Sequence, residues 1–124
     1  MRIVYYPDPV LMKPAKPVGT APENIDEIVS GMREVMGLER GIGLAAPQVG
    51  LSLRIICVNE TGEPGDEEIL LDPEIVKFHG KKEWAEEGCL SFPGIWGDVL
   101  RHTNVDVVIG DTRFICLAEL AHID

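Results

Sequence analysis

Glu86-Glu87-Gly88-Cys89-Leu90-Ser91-Phe92-Pro93-Gly94 (EEGCLSFPG) is the most specific stretch of this chain. It sets one thiol between a glycine and a leucine, directly behind a pair of carboxylates. Negative charge beside a thiol disfavours the thiolate, so Cys89 is a poor free nucleophile. A bound metal ion reverses that, because coordination deprotonates the sulfur. Without a metal, a lone cysteine in a Gly/Pro segment is ordinarily structural. The other cysteines sit in apolar runs, Cys57 in IICV and Cys116 in FICL, and read as small buried hydrophobes. A set of 3 cysteines, odd and sparse, argues against a disulfide framework.

On either side of this stretch the pattern is that of mixed, mostly antiparallel structure. Residues 81–87 read as a strand. Residues 68–76 read as another, with His79-Gly80 as the turn between them and His79 a surface turn residue. Residues 88–97, mixing Gly, Pro and aromatics, read as a structured loop. Residues 104–109 form a short strand, and 53–58 another, rich in β-branched residues. Between them, TGEPGDEE (61–68) is an acidic, solvated turn.

The first 20 residues carry Pro7, Pro9, Pro14 and Pro17 and are extended or turning. A helix comes next. Thr20 and Glu23 have capping-box spacing, with Pro22 in the first turn. Ile25, Ile28, Val29, Met32, Val35 and Met36 then trace one helical face, and Gly37 is the expected terminator. Residues 117–124 have the pattern of a second helix, with Glu119 and His122 three apart on one face. The ensemble predicts an α+β fold: one N-terminal helix, several antiparallel strands and a C-terminal motif helix.

Composition narrows the function. The chain has 124 residues, a length suited to one domain spanning 1–124. Its net charge of −10 disfavours phosphate backbones and anionic lipid, which excludes a general nucleic-acid or membrane-surface binder. No apolar run is long enough to span a bilayer. Pro7, Asp8 and Pro9 interrupt the place where a signal peptide needs continuous apolar sequence. The expected location is the cytoplasm, or an organelle if a transit peptide has been removed.

Two more segments carry chemistry. In GIGLAAPQVG (41–50), Gly41, Gly43 and Ala46 satisfy the G-x-G-x-x-A spacing of dinucleotide sites. That fingerprint needs a strand before it and a helix opening at it. Here a helix precedes it, while Pro47 and Gly50 interrupt any helix after it. Close approach of an extended ligand is the better reading, with the Gln48 amide offered to an oxygen. A tight turn with a surface glutamine is the plain alternative. In AELAH (118–122), Glu119 and His122 have the spacing of the second half of H-E-x-x-H, a weak signal by itself.

Taken together and in this order, GIGLAAPQVG, EEGCLSFPG and AELAH resemble the motifs of the peptide deformylases, G-x-G-x-A-A-x-Q, E-G-C-L-S and H-E-x-D-H. The opening with Pro7, Asp8, Pro9, Val10 and Leu11 is similar too, and the resemblance runs over most of residues 1–101. It implies a metallo-hydrolase that removes the formyl group from the N-terminal methionine of new polypeptides, near the ribosome. It implies Cys89 and His122 as metal ligands and Glu119 as the general acid/base. It implies Gln48 and the Leu90 N–H as donors to the formyl oxygen. Gly41, Ile42, Gly43 and Gly88 are implied as the edge on which the substrate main chain docks. Glu87 and Arg101 are implied as an ion pair steadying the metal loop. The expected cofactor is one Fe2+, with Zn2+ or Ni2+ as substitutes.

Two alanines depart from the pattern. Ala118 stands where the family has its first histidine ligand, and Ala121 where it has an aspartate. Only Cys89 and His122 then remain as protein ligands, so the ion is held weakly or not at all. A one-gap register would instead make His122 the first histidine and Asp124 the aspartate, at the cost of Glu119. The ungapped register keeps Glu119 and His122 together and is preferred. Arg101 and Ala118 are separated by 16 residues, where the family has a longer strand pair, so the C-terminal part reads as shortened. The competing expectation is a catalytically inactive, peptide-binding relative without a complete metal site.

Overall fold

The computed structural model describes residues 1–19, 23–89, 91–109 and 112–117. The helix α1 covers Ile25–Leu38, and the strands are β1 (Gly43–Ala45), β2 (Ile55–Val58), β3 (Glu68–Leu71), β4 (Glu74–Cys89), β5 (Phe92–Ile109) and β6 (Thr112–Leu117). Short 3-10 turns lie at Pro9–Met12 and Ala46–Val49. The strands form two antiparallel sheets, ordered β1-β2-β3 and β4-β5-β6. This is the α+β, antiparallel architecture that the sequence predicts.

The apolar face of α1 does what its spacing requires. Ile28, Met32, Val35 and Met36 are buried, and they join Ile3, Leu44, Ala46, Val49, Ile55 and Cys57 in one core. Burying four such side chains is what holds a 14-residue helix, which is marginal alone. The ends differ from expectation. The N-cap is Asn24, with no side-chain capping bond, so Glu23 precedes the helix instead of closing a box. Asp26 and Glu27 in the first turn favour the positive end of the helix dipole. Thr20 and Pro22 lie outside the described residues.

At the other end Gly37 sits inside the last turn, and Arg40 takes the left-handed conformation at φ 53°. Gly41 N–H donates to Met36 C=O (3.0 Å) and Arg40 N–H to Gly37 C=O (3.3 Å). That is the Schellman pattern, and it places an arginine where glycine is usual. The chain leaves it directly for β1.

Cys57 is fully buried in β2, as its apolar run predicts. Burial pushes its thiol up to about 11, with the Glu67 carboxylate adding to the rise and Arg33 opposing it.

The strand expected over 68–76 is divided between the sheets, β3 ending at Leu71 and β4 starting at Glu74, and the second sheet corrects the reading of the residues that follow. β4 runs unbroken through His79 and Gly80 instead of turning there, and His79 pairs with Asn104. The register slips between His79 and Lys82, so that Gly80 and Lys81 face the single Thr103. The glycine serves a bulge and not a turn. Residues 88–97 likewise are not a loop. Gly88 pairs with Trp96 and Cys89 with Phe92, leaving Pro93, Gly94 and Ile95 bulged out of β5. Proline lacks the N–H that a ladder needs, so the bulge is where it fits. The strand expected at 104–109 is the end of the 18-residue β5. Leu117 closes β6 instead of opening a helix, and the helix expected over 117–124 otherwise lies outside the described residues.

This packing makes two testable demands. Arg40→Gly should stabilise the fold by about 0.5–1 kcal/mol, because a left-handed L-residue costs roughly 1–2 kcal/mol and glycine returns part of that in chain entropy; urea unfolding measures it. The Cys57 thiol ionises more easily unfolded than folded, so its contribution to stability should be constant below pH 9 and fall as pH rises from there towards about 11. Cys57→Val, compared with the parent chain by pH-dependent unfolding, should remove that component.

Candidate active site

The site is assembled by the N-terminal segment. Val4 N–H donates to Gln48 C=O at 2.8 Å, and Tyr6 N–H donates to Ser91 C=O at 3.1 Å. These bonds bring the first and second motifs to one short piece of chain. Ile3, buried in the core, anchors that piece.

The first motif is a strand leading into a tight turn. Gly43 pairs with Val58, Leu44 with Cys57 and Ala45 with Ile56. The chain then tightens into the 3-10 turn Ala46–Val49, with Pro47 at its start, and Gly50 ends it in the left-handed region at φ 86°. Proline's fixed φ suits the start of such a turn, and glycine suits its exit. Gln48 is 7% exposed, which removes the surface-glutamine alternative. Its Oε1 accepts from Ala45 N–H at 2.9 Å. That bond fixes the amide orientation, with the donor nitrogen at the opposite end. Ile42, at 47% exposure, stands just before β1 on the outer surface. β1 is an edge strand of its sheet among the described strands.

The second motif forms the join between β4 and β5. Cys89 is the last residue of β4, opposite Phe92. Ser91, between them, is 2% exposed, and its hydroxyl has no hydrogen-bond partner among the described residues. Neither Ser91 nor the Val4–Tyr6 clip was singled out by sequence reasoning. Ser91 carried a signal, as the polar residue inside the most specific motif, whereas backbone bonds from residues 4 and 6 leave none. Glu87 lies opposite Gly97 and Arg101 opposite Glu83, so the two expected ion-pair partners stand four register positions apart on adjacent strands.

Leu90, Ala118, Glu119, Ala121 and His122 lie outside the described residues. Among the described residues, no group of three His, Cys, Asp or Glu side chains is placed to hold a metal ion. No helix there is long and apolar enough to cross a membrane.

Comparison with known proteins gives a consistent answer. The family model for polypeptide deformylase matches residues 1–117. The chain is 40% identical to the chloroplastic/mitochondrial peptide deformylase 1B of Arabidopsis thaliana, over 97% of this chain and 46% of that protein. It is 44% identical to a peptide deformylase of Desulforudis audaxviator, over 86% of this chain and 68% of that one. Among solved structures, the Legionella pneumophila peptide deformylase superposes with a TM-score of 0.87 at 37% identity, covering 98% of this chain and 74% of that one. The chain thus spans about half to two thirds of the curated relatives it matches.

If the Gln48 amide is held as described, Gln48→Met should cost about 1–3 kcal/mol, because the Ala45 N–H loses its acceptor. Urea unfolding of the two proteins measures it, and an unchanged midpoint would contradict the geometry.

Proposed function

The chain belongs to the polypeptide deformylase family, and from that premise we propose that it is a metal-dependent hydrolase removing the N-formyl group from the N-terminal methionine of newly made polypeptides. The observation that carries the reading is the shared clip. A buried glutamine with a fixed amide and the cysteine-bearing turn hang from Val4 and Tyr6. A donor for an oxygen and a sulfur for a metal are needed side by side in amide hydrolysis of this kind.

The donor set suits the implied metal in kind. A cysteine sulfur and an imidazole, from Cys89 and His122, favour iron, zinc or nickel over hard cations. The buried, unpartnered Ser91 hydroxyl, two residues on from Cys89 in the chain, also suits a site that gains charge when loaded. In number the set is short, since Ala118 contributes nothing, and the ion is held more weakly than by three ligands. When bound, the ion supplies Lewis-acid activation of water at neutral pH.

The remaining work falls to the chain itself. The substrate main chain lies extended along Gly41, Ile42 and Gly43 at the β1 edge, with Gly88 on the opposite side, pairing as an added strand. Gln48 and the Leu90 N–H donate to the formyl oxygen as it gains charge; one such donor is worth about 10²–10³ in rate. Glu119 accepts the proton of the attacking water and delivers it to the departing amine. Glu87 and Arg101 steady the Cys89 turn from adjacent strands. The substrates are formyl-methionyl chain ends at the ribosome, met in the cytoplasm or, as for the organellar relatives, in an organelle. A second reading, an inactive relative that binds such ends without hydrolysing them, is favoured by Ala118 and Ala121.

Deformylation of a formyl-methionyl tripeptide, assayed with added Fe2+ or Ni2+, separates the two. Turnover should be abolished in Cys89→Ala and fall about 10²–10³-fold in Gln48→Ala. Turnover no higher than that of Cys89→Ala defeats the hydrolase reading. Calorimetric binding of the same peptide would then favour the second.

A further inference from the structure

β1 has 3 residues, and a strand so short frays unless its first position is held. Ile42, where the proposed docking edge begins, is fixed by main-chain bonds on both sides. Before it, Gly41 N–H donates to Met36 C=O at the end of α1. Its own carbonyl accepts from Asn59 N–H at 2.8 Å, one step beyond the Gly43–Val58 pair. In an antiparallel ladder, residues whose main-chain groups bond the partner strand alternate with residues whose groups face away from it. The bond at Ile42 therefore turns the N–H and C=O of Gly43 towards the open side of β1. Ala45 obeys the same alternation, since its N–H goes to Gln48 Oε1 and not to β2.

Asn59 follows Val58, the last residue of β2, so the regular ladder no longer directs it. Its side chain does. Asn59 is 5% exposed; its Nδ2 donates to Glu63 C=O at 2.9 Å, and its Oδ1 accepts from Gly62 N–H at 2.9 Å. An asparagine amide that bonds main-chain groups a few residues on closes a turn of its own. Gly62, in the left-handed region at φ 75°, lets the chain reverse there. The turn fixes the backbone at Asn59 and so the direction of the N–H that Ile42 receives.

We propose that Asn59 is a positioning residue for substrate docking: its side chain aims its own N–H at the Ile42 carbonyl, which keeps the Gly43 main-chain groups turned out towards an incoming formyl-methionyl chain. The proposal rests on the reading of β1 as the docking edge, which the hydrolase and the inactive binder share. A pre-formed edge lowers the ordering cost that peptide binding must overcome. An alanine at position 59 keeps the N–H and loses the turn that directs it. Glu63 C=O and Gly62 N–H, both on exposed residues, can then bond to water, so the fold tolerates the change while the edge loosens.

Calorimetric titration of the full chain with a formyl-methionyl tripeptide, at a temperature where every variant is folded, tests this. Asn59→Ala should weaken binding about tenfold, the equivalent of one net hydrogen bond. Asn59→Asp, which keeps the Oδ1 acceptor, should recover most of the affinity. Leu70→Ala serves as the control for a merely structural loss: it empties core space in β3, on the far side of β2 from the edge, and should unfold earlier than the parent yet bind as tightly. In the parent, the residue 59 N–H should be protected from exchange with deuterated solvent, and Asn59→Ala should lose that protection. Equal affinity in Asn59→Ala, a loss that Leu70→Ala matches, or an unprotected N–H in the parent would overturn the role of Asn59. A parent chain that does not bind the peptide would bring down the docking edge itself, and this proposal with it.

Discussion

Two backbone hydrogen bonds, from the N–H groups of Val4 and Tyr6, set the geometry on which the site depends. Residues two apart in a chain are separated by no more than about 7 Å, so their acceptors, the carbonyls of Gln48 and Ser91, are forced close. Between those acceptors lie β2, β3 and β4. Because the bonds use main-chain atoms, side-chain changes at Val4 and Tyr6 leave them chemically intact. What they require is that the segment itself stay in place, and the burial of Ile3 in the α1 core provides that. Core packing is thus transmitted to the site through one residue and its neighbours.

The second sheet contributes by being irregular in chosen places. A regular hairpin would continue the pairing of Glu87 with Gly97 and Gly88 with Trp96 at even spacing. Instead Pro93, Gly94 and Ile95 are bulged, and Cys89 meets Phe92. The bulge bends β5 and draws the end of β4 into a tight join. That join is what leaves Ser91 buried and its carbonyl within reach of Tyr6. At Gly80 the second slip absorbs a residue without ending the strand.

The parts legible in the sequence were those with a repeating physical signature. The α1 face was readable because four buried positions recur at the helical period. The β2 strand was readable because its residues are branched and apolar. The joins were not. Glycine and proline signal departure from a regular ladder, but a turn and a bulge make the same demand on them, and only pairing with a distant strand tells which one forms. Hence His79-Gly80 read as a turn and 88–97 as a loop. The helix ends failed for a related reason. Gly37 has the residue type of a terminator, yet the left-handed position fell to Arg40, where packing of Met36 and the start of β1 fixed the exit. In the site, the motifs pointed to Gln48 and Cys89, while the burial of Gln48 and the unpartnered Ser91 hydroxyl emerged only from the fold.

Two of the cysteines stand at contrasting places in the fold, one in the core and one at a strand end. Cys57 is enclosed by the α1–β1–β2 core, where burial and the Glu67 carboxylate outweigh the opposing Arg33 and disfavour a negative sulfur. Cys89 ends β4 opposite Phe92, two residues before the buried Ser91. A dry apolar core suppresses thiolate formation. The acidic surface adds to the same contrast. The carboxylates of Glu60, Glu63, Asp66 and Glu68 are exposed around a loop that Asn59 organises, its Oδ1 accepting from Thr61 Oγ1 and Gly62 N–H. Those four carboxylates stay in water, where each costs little, while Glu67 is half-buried. The polar groups held in the interior are few among the described residues, and Gln48 and Ser91 are two of them. Both hang from the same N-terminal clip, which is where burial of a polar side chain has a chemical use to offset its cost in stability.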